Sequence, residues 1–143
     1  YYKNHEATSS AIDEDGWLHT GDLGTIDSEG YLFIKGRSKN MILGPSGQNI
    51  YPEEIEDRLN ALPYVSESLV IEKDGKLIAL VYPDYEVVKK EKISPEQLKT
   101  KMDENRKLLN HMLPMYSQVA RLKIQETEFE KTPKRSIKRY LYQ

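Results

Sequence analysis

Val65-Ser66-Glu67-Ser68-Leu69-Val70-Ile71-Glu72, then Lys73-Asp74-Gly75-Lys76, then Leu77-Ile78-Ala79-Leu80-Val81-Tyr82 reads as two strands around a tight turn. Both outer runs are rich in aliphatic and β-branched side chains, and Asp-Gly between such runs is a strong hairpin signal. Toward the N-terminus, Pro52 opens a helix, where its fixed φ and missing N–H do no harm. Glu53 and Glu54 face the positive end of the helix dipole. Ile55, Leu59 and Leu62 then form one apolar stripe, and Pro63 ends the helix. Toward the C-terminus, Ser94-Pro95-Glu96-Gln97 is a capping box opening a helix with Leu98, Met102, Leu109 and Met112 on one face. Pro114 closes that helix, and Val119–Ile124 reads as a last strand. The expected fold is α+β: a small, mostly antiparallel sheet with flanking helices.

Upstream, Asp27-Ser28-Glu29-Gly30 reads as the turn of another hairpin, with Tyr31–Lys35 as its second strand. Trp17–Leu23 is extended and interrupted at Thr20-Gly21-Asp22. Residues 1–16 read as polar and irregular. Gly36-Arg37-Ser38-Lys39 is a short polar link, Met41-Ile42-Leu43 a short strand, and 44–49 a flexible loop. Tyr140-Leu141-Tyr142 suggests a short terminal helix.

Composition narrows the function classes. Leu, Ile, Val and Phe make up about 24% of the 143 residues, enough for a modest core in a chain of net charge −2. There is no Cys, so disulfides, thiolate metal sites and cysteine nucleophiles are excluded. His5, His19 and His111 lie far apart, and no metal site is expected. No apolar run approaches the length of a membrane span. No signal peptide is read, and a start at Tyr1 suggests a piece of a longer protein. Residues 1–38 carry three basic and seven acidic side chains, whereas Lys131, Lys134, Arg135, Lys138 and Arg139 crowd nine residues without an acid. Such a cluster suits a phosphate-bearing partner or is a plain solvated tail.

Four places offer chemistry, each with a plain alternative. Thr20-Gly21-Asp22 lets a backbone approach a ligand and sets a carboxylate to bind a vicinal diol, or is a capped turn. Arg37 in Gly36–Lys39 offers a planar fork of donors to phosphate or ribose, or is a charged link. The 44–49 loop can line a channel or merely connect; it lacks the Gly-Lys-Ser/Thr ending of a Walker loop. The lysines of 131–139 can reach a phosphate or be solvated.

Taken in order, Trp17-Leu18-His19-Thr20-Gly21-Asp22, Gly30-Tyr31-Leu32-Phe33-Ile34-Lys35-Gly36-Arg37 and Gly47-Gln48-Asn49-Ile50-Tyr51-Pro52-Glu53-Glu54-Ile55-Glu56 resemble the C-terminal part of the adenylate-forming enzymes. The phrase from Gly44 to Ile55 is most similar to bacterial long-chain fatty-acid–CoA ligases. The resemblance implies that an intact parent uses ATP, Mg2+ and CoA. It activates a fatty acid as acyl-AMP and then passes the acyl group to CoA. Residues 1–38 would be the end of a large N-terminal domain, including its hairpin. Residues 39–143 would be the mobile C-terminal domain, which turns about a hinge at Lys39 between the two steps.

By the same resemblance, Thr20, Asp22 and Arg37 bind the nucleotide and Gly47 borders the CoA tunnel. The tail departs from the family pattern Gly-Lys-Ile-x-Arg. Arg135-Ser136-Ile137-Lys138-Arg139 aligns with it, so Ser136 stands where the catalytic lysine is expected. Lys134 is named as its stand-in, with Lys138 the other neighbouring lysine. The fragment alone is expected to be inactive. The expected partners are its own N-terminal domain, fatty acid, ATP and CoA. A cytoplasmic location is expected, with no nucleic acid and possible peripheral membrane contact. Two alternatives stay open: a carrier-protein phosphopantetheine thiol as acceptor, or a non-catalytic module whose basic tail binds nucleic acid.

Overall fold

The computed structural model describes all residues, 1–143. The chain divides into two compact units, Tyr1–Asn40 and Met41–Gln143.

In the first unit, helix α1 (His5–Ala11) occupies a stretch expected to be irregular. Its signal is local: the Asn4 side chain accepts the Ala7 N–H at 2.9 Å, which satisfies one of the orphan donors of a helix start. Strands β1 (Asp22–Ile26) and β2 (Leu32–Arg37) form the antiparallel hairpin expected around Asp27–Gly30. The supposed polar link is therefore strand as far as Arg37, followed by a 3-10 turn over Ser38–Asn40. Trp17, Ile26, Tyr31, Leu32, Phe33 and Ile34 all remain more than half exposed.

In the second unit, β3 (Ile42–Leu43) and β4 (Asn49–Ile50) pair antiparallel, so the expected flexible loop is a tight hairpin. Helix α2 (Pro52–Asn60) follows, ending three residues short of Pro63. Strands β5 (Val65–Lys73) and β6 (Lys76–Pro83) form the hairpin of the opening motif. Asp74 and Gly75 both have positive φ, 54° and 71°, as a two-residue turn of this kind needs. Helix α3 (Tyr85–Lys90) was not legible from apolar spacing; Asp84 caps it by accepting the Glu86 and Val87 N–H groups. Helix α4 (Pro95–Met112) carries the expected capping box. Its buried residues are Leu98, Met102, Asn105 and Leu109, whereas Met112 is 48% exposed and does not belong to the buried face. Strand β7 (Val119–Ile124) joins the sheet beside β6, parallel to it, giving the order β5-β6-β7.

Alternation along β6 sends Leu77, Ala79 and Val81 to one face and Ile78, Leu80 and Tyr82 to the other. The first face packs on α2, α3 and α4 through Ile55, Leu59, Val88, Leu98, Met102 and Leu109. The second is covered by the C-terminal segment through Phe129, Ile137 and Tyr142. Phe129 and Tyr142 meet edge to face at 5.2 Å. Both open edges of the sheet are occupied by side chains. Asn110 accepts the Val119 N–H at 2.7 Å and donates to its carbonyl at 2.9 Å. Glu56 accepts the Val70 N–H at 2.6 Å, and Arg139 donates to the Val70 carbonyl at 2.9 Å. At these two residues the plugs satisfy backbone groups that an open edge leaves unpaired.

Candidate functional site

Asp22 and Arg37 are cross-strand partners at the open end of the β1–β2 hairpin. Arg37 Nη1 donates to Asp22 Oδ1 at 2.7 Å, and both side chains stay accessible, 57% and 35% exposed. The Asp22 N–H donates to Thr20 Oγ1 at 3.1 Å, and the Ser38 N–H donates to the Gly21 carbonyl at 2.9 Å. Thr20, Gly21, Asp22, Arg37 and Ser38 are thus one hydrogen-bonded cluster. A bulge between Leu23 and Gly24 sets its aim. A Cβ on Gly24 would lie 2.8 Å from the Phe33 carbonyl oxygen, so only glycine allows this close strand approach. The carboxylate gives one oxygen to Arg37 and leaves Oδ2 open to a diol; Arg37 keeps donors for a second anion.

A second pair lies just upstream. His19 Nε2 is 2.8 Å from Asp13 Oδ2, while Asp13 Oδ1 accepts the Asp15 and Trp17 N–H groups. The His19 contact, helped by these amides, holds the Asp13 carboxyl below its ordinary 3.8. Apolar periodicity gives no hint of this pair. It ties the Asp13–Trp17 turn to the residue before Thr20. Lys39 sits exposed in the 3-10 turn that closes the first unit.

Gly47 lies at the end of the β3–β4 turn with φ 82°. Nothing stands within 4 Å of where its Cβ would point. Its first requirement is therefore the turn: a left-handed residue is needed there whatever passes beside it. A groove of about 510 Å³ runs along this loop, lined by Leu43, Pro45 and Ser46 with Met115 and Tyr116 opposite.

Three of the five cations of the basic segment are paired. Lys131 pairs with Glu67 at 2.6 Å, Lys138 with Glu130 at 3.2 Å, and Arg139 with Glu56 at 2.8 Å. The Glu67 carboxylate raises the Lys131 ammonium above its ordinary 10.5. Residues 131–137 form a hairpin closed by the Lys131–Ile137 bridge. Its apex exposes Lys134, Arg135 and Ser136. Of the two lysines beside Ser136, Lys138 is half-buried and engaged, and Lys134 is exposed without an ion pair.

Glu56 is the one buried carboxylate, 8% exposed. Burial raises its carboxyl above the ordinary 4.5, against the opposing pull of Arg139 and the Val70 N–H. Glu56 belongs to the motif that opens α2, yet nothing in spacing announces a partner 83 residues away.

The fold and these clusters define the C-terminal part of an adenylate-forming enzyme, and the chain belongs to the AMP-binding enzyme C-terminal domain family, whose profile matches residues 39–142. Among its relatives is the long-chain-fatty-acid–CoA ligase FadD13 of Mycobacterium tuberculosis, 48% identical over 85 residues, which are 57% of this chain and 16% of that protein. The o-succinylbenzoate–CoA synthetase of Bacillus subtilis, solved with an acyl-adenylate intermediate, superposes with a TM-score of 0.71 at 27% identity, covering 100% of this chain and 28% of that one. The adenylation domain of a carboxylate reductase from Mycobacterium chelonae shares the fold with a TM-score of 0.85 at 23% identity, over 99% of this chain and 23% of that one. The matches span between 11% and 21% of the length of the curated relatives. No helix is long and apolar enough to cross a membrane.

Proposed function

We propose that the intact protein is an ATP-dependent acid–thiol ligase that activates a fatty acid as acyl-AMP and transfers the acyl group to CoA. The observation that carries this reading is the accessible Asp22–Arg37 pair at 2.7 Å beside Thr20 and Gly21, in a chain of this family. Asp22 accepts hydrogen bonds from the ribose hydroxyls, and Arg37 holds Asp22 in place while offering further donors. Lys39 is the hinge, Gly47 borders the path of the CoA thiol arm, and Lys134 is the accessible lysine beside Ser136. Mg2+ enters with ATP in this reading. No three His, Cys, Asp or Glu side chains gather in the chain, and no step is routed through the metal.

The exposed apolar side chains of the first unit, Trp17, Ile26, Tyr31, Leu32, Phe33 and Ile34, support a further domain as partner. Monomeric surfaces seldom leave so many large apolar groups uncovered.

ATP–pyrophosphate exchange by the full-length parent, measured with a panel of fatty acids, is expected to show activity. The 143-residue chain alone is expected to make no acyl-CoA. Turnover by the chain alone, or a parent without exchange on any fatty acid, would sink this reading.

A further inference from the structure

Two hairpin loops of the first unit are built alike. At 27–31, Asp27 Oδ1 accepts the Glu29 and Tyr31 N–H groups, and Gly30 donates to the Asp27 carbonyl. At 13–17, Asp13 Oδ1 accepts the Asp15 and Trp17 N–H groups, and Gly16 donates to the Asp13 carbonyl. The difference is the other carboxylate oxygen. Asp27 Oδ2 takes no partner, and its turn forms all the same. Asp13 Oδ2 accepts from His19 Nε2 at 2.8 Å. The His19 contact is therefore not what closes the turn.

Nor does it add much stability, since an exposed ion pair contributes little. What it adds is a fixed point two residues before Gly21. Gly21 has φ 75°, and glycine is the residue with the most backbone freedom to lose. A carboxylate placed directly after such a swivel keeps its aim only if the chain is held on both sides. Downstream, the Ser38 N–H donates to the Gly21 carbonyl and Arg37 donates to Asp22. Upstream, the His19 N–H donates to the Ala11 carbonyl at 2.7 Å, and the His19 ring is tied to Asp13. Asp13 is fixed in turn by the two amides it caps.

We propose that Asp13 and His19 are positioning residues for nucleotide binding: their pair fixes the chain entering Thr20-Gly21-Asp22, so that the Asp22 carboxylate is held where it accepts the ribose hydroxyls. This rests on the acid–thiol ligase reading above. Neither residue touches the nucleotide. An acceptor that is already aimed spares binding the cost of ordering it, so the effect falls on affinity for ligands that carry the adenylate ribose. The CoA thiol arm passes Gly47, in the other unit, and gains nothing from the pair.

The test uses the full-length parent. His19→Phe keeps a ring of similar size and removes the donor, whereas His19→Gln keeps an N–H donor near the Nε2 position. In His19→Phe, KM for ATP in pyrophosphate exchange and KM for supplied acyl-adenylate are each expected to rise about tenfold. The values of kcat and of KM for CoA should stay within about twofold. The melting temperature should fall by less than about 2 °C. His19→Gln should recover most of the lost affinity. Added to Asp22→Ala, His19→Phe should cause no further loss, because it acts through Asp22. A normal KM for ATP in His19→Phe overturns the proposal, as does a loss that multiplies with that of Asp22→Ala, or one that moves kcat and every KM alike. If the unmodified parent shows no exchange on any fatty acid, the ligase reading fails and this proposal falls with it. A parent that exchanges, and loses ATP affinity on Asp22→Ala but not on His19→Phe, rejects the positioning role alone.

Discussion

Replacing Arg139 with methionine is expected to lower the stability of the chain by about 3–5 kcal/mol near neutral pH, because it strands the buried Glu56 carboxylate. The loss should shrink in acid. In the folded chain, burial already raises the Glu56 carboxyl above 4.5, and the Arg139 charge is the largest influence holding it down. Without Arg139 it rises further. Above 4.5, the folded chain then keeps a proton that the unfolded chain has released, so stability falls as the pH rises through this window. Below it, both states hold the proton and the charge penalty disappears, leaving the lost hydrogen bond to the Val70 carbonyl. Urea unfolding at a series of pH values measures this directly. A loss independent of pH would show that only the shape of Arg139 matters. The double variant Glu56→Gln with Arg139→Met should lose the pH dependence, because glutamine still accepts the Val70 N–H and does not titrate.

Asp22→Ala in the full-length parent is expected to cut kcat/KM for ATP about 10²-fold, the equivalent of losing two hydrogen bonds from a charged group. The melting temperature should barely move, because an accessible ion pair contributes little to stability. Thioester formation from supplied acyl-adenylate should weaken as well, since that intermediate carries the same ribose. An Asp22→Ala enzyme with an unchanged KM for ATP would remove Asp22 from the nucleotide site. The contrast between the two substitutions is physical. Asp22 is accessible and its proposed partner is a ligand, whereas Glu56 and Arg139 lie under the surface and act on the fold.

The β5–β6 hairpin, the capping box of α4 and the last strand were legible because their signals are local: an Asp-Gly turn, a Ser-Pro-Glu-Gln start and short apolar runs. Helices α1 and α3 escaped because Asn4 and Asp84, single capping residues, mark them in place of an apolar stripe. Met112 was misplaced because the apolar spacing of α4 continues past the point where the helix leaves the core; Asn105 takes a buried position instead, donating to the Pro63 carbonyl at 2.7 Å. The basic segment was misjudged for a related reason. A run of five cations reads as solvated until Glu56, Glu67 and Glu130 are known to meet three of them, and only Glu130 is near in sequence.

By itself the sequence determined the α+β class, the family, and the residues that gather at Thr20, Asp22 and Arg37, since each follows from contiguous motifs and short-range turn chemistry. Tertiary structure alone decided that β7 runs parallel to β6 and that Glu56 meets Arg139 across 83 residues. These depend on which distant groups folding brings to a buried edge. The energy of such a meeting comes from desolvation and paired charge, which no local pattern of residues encodes.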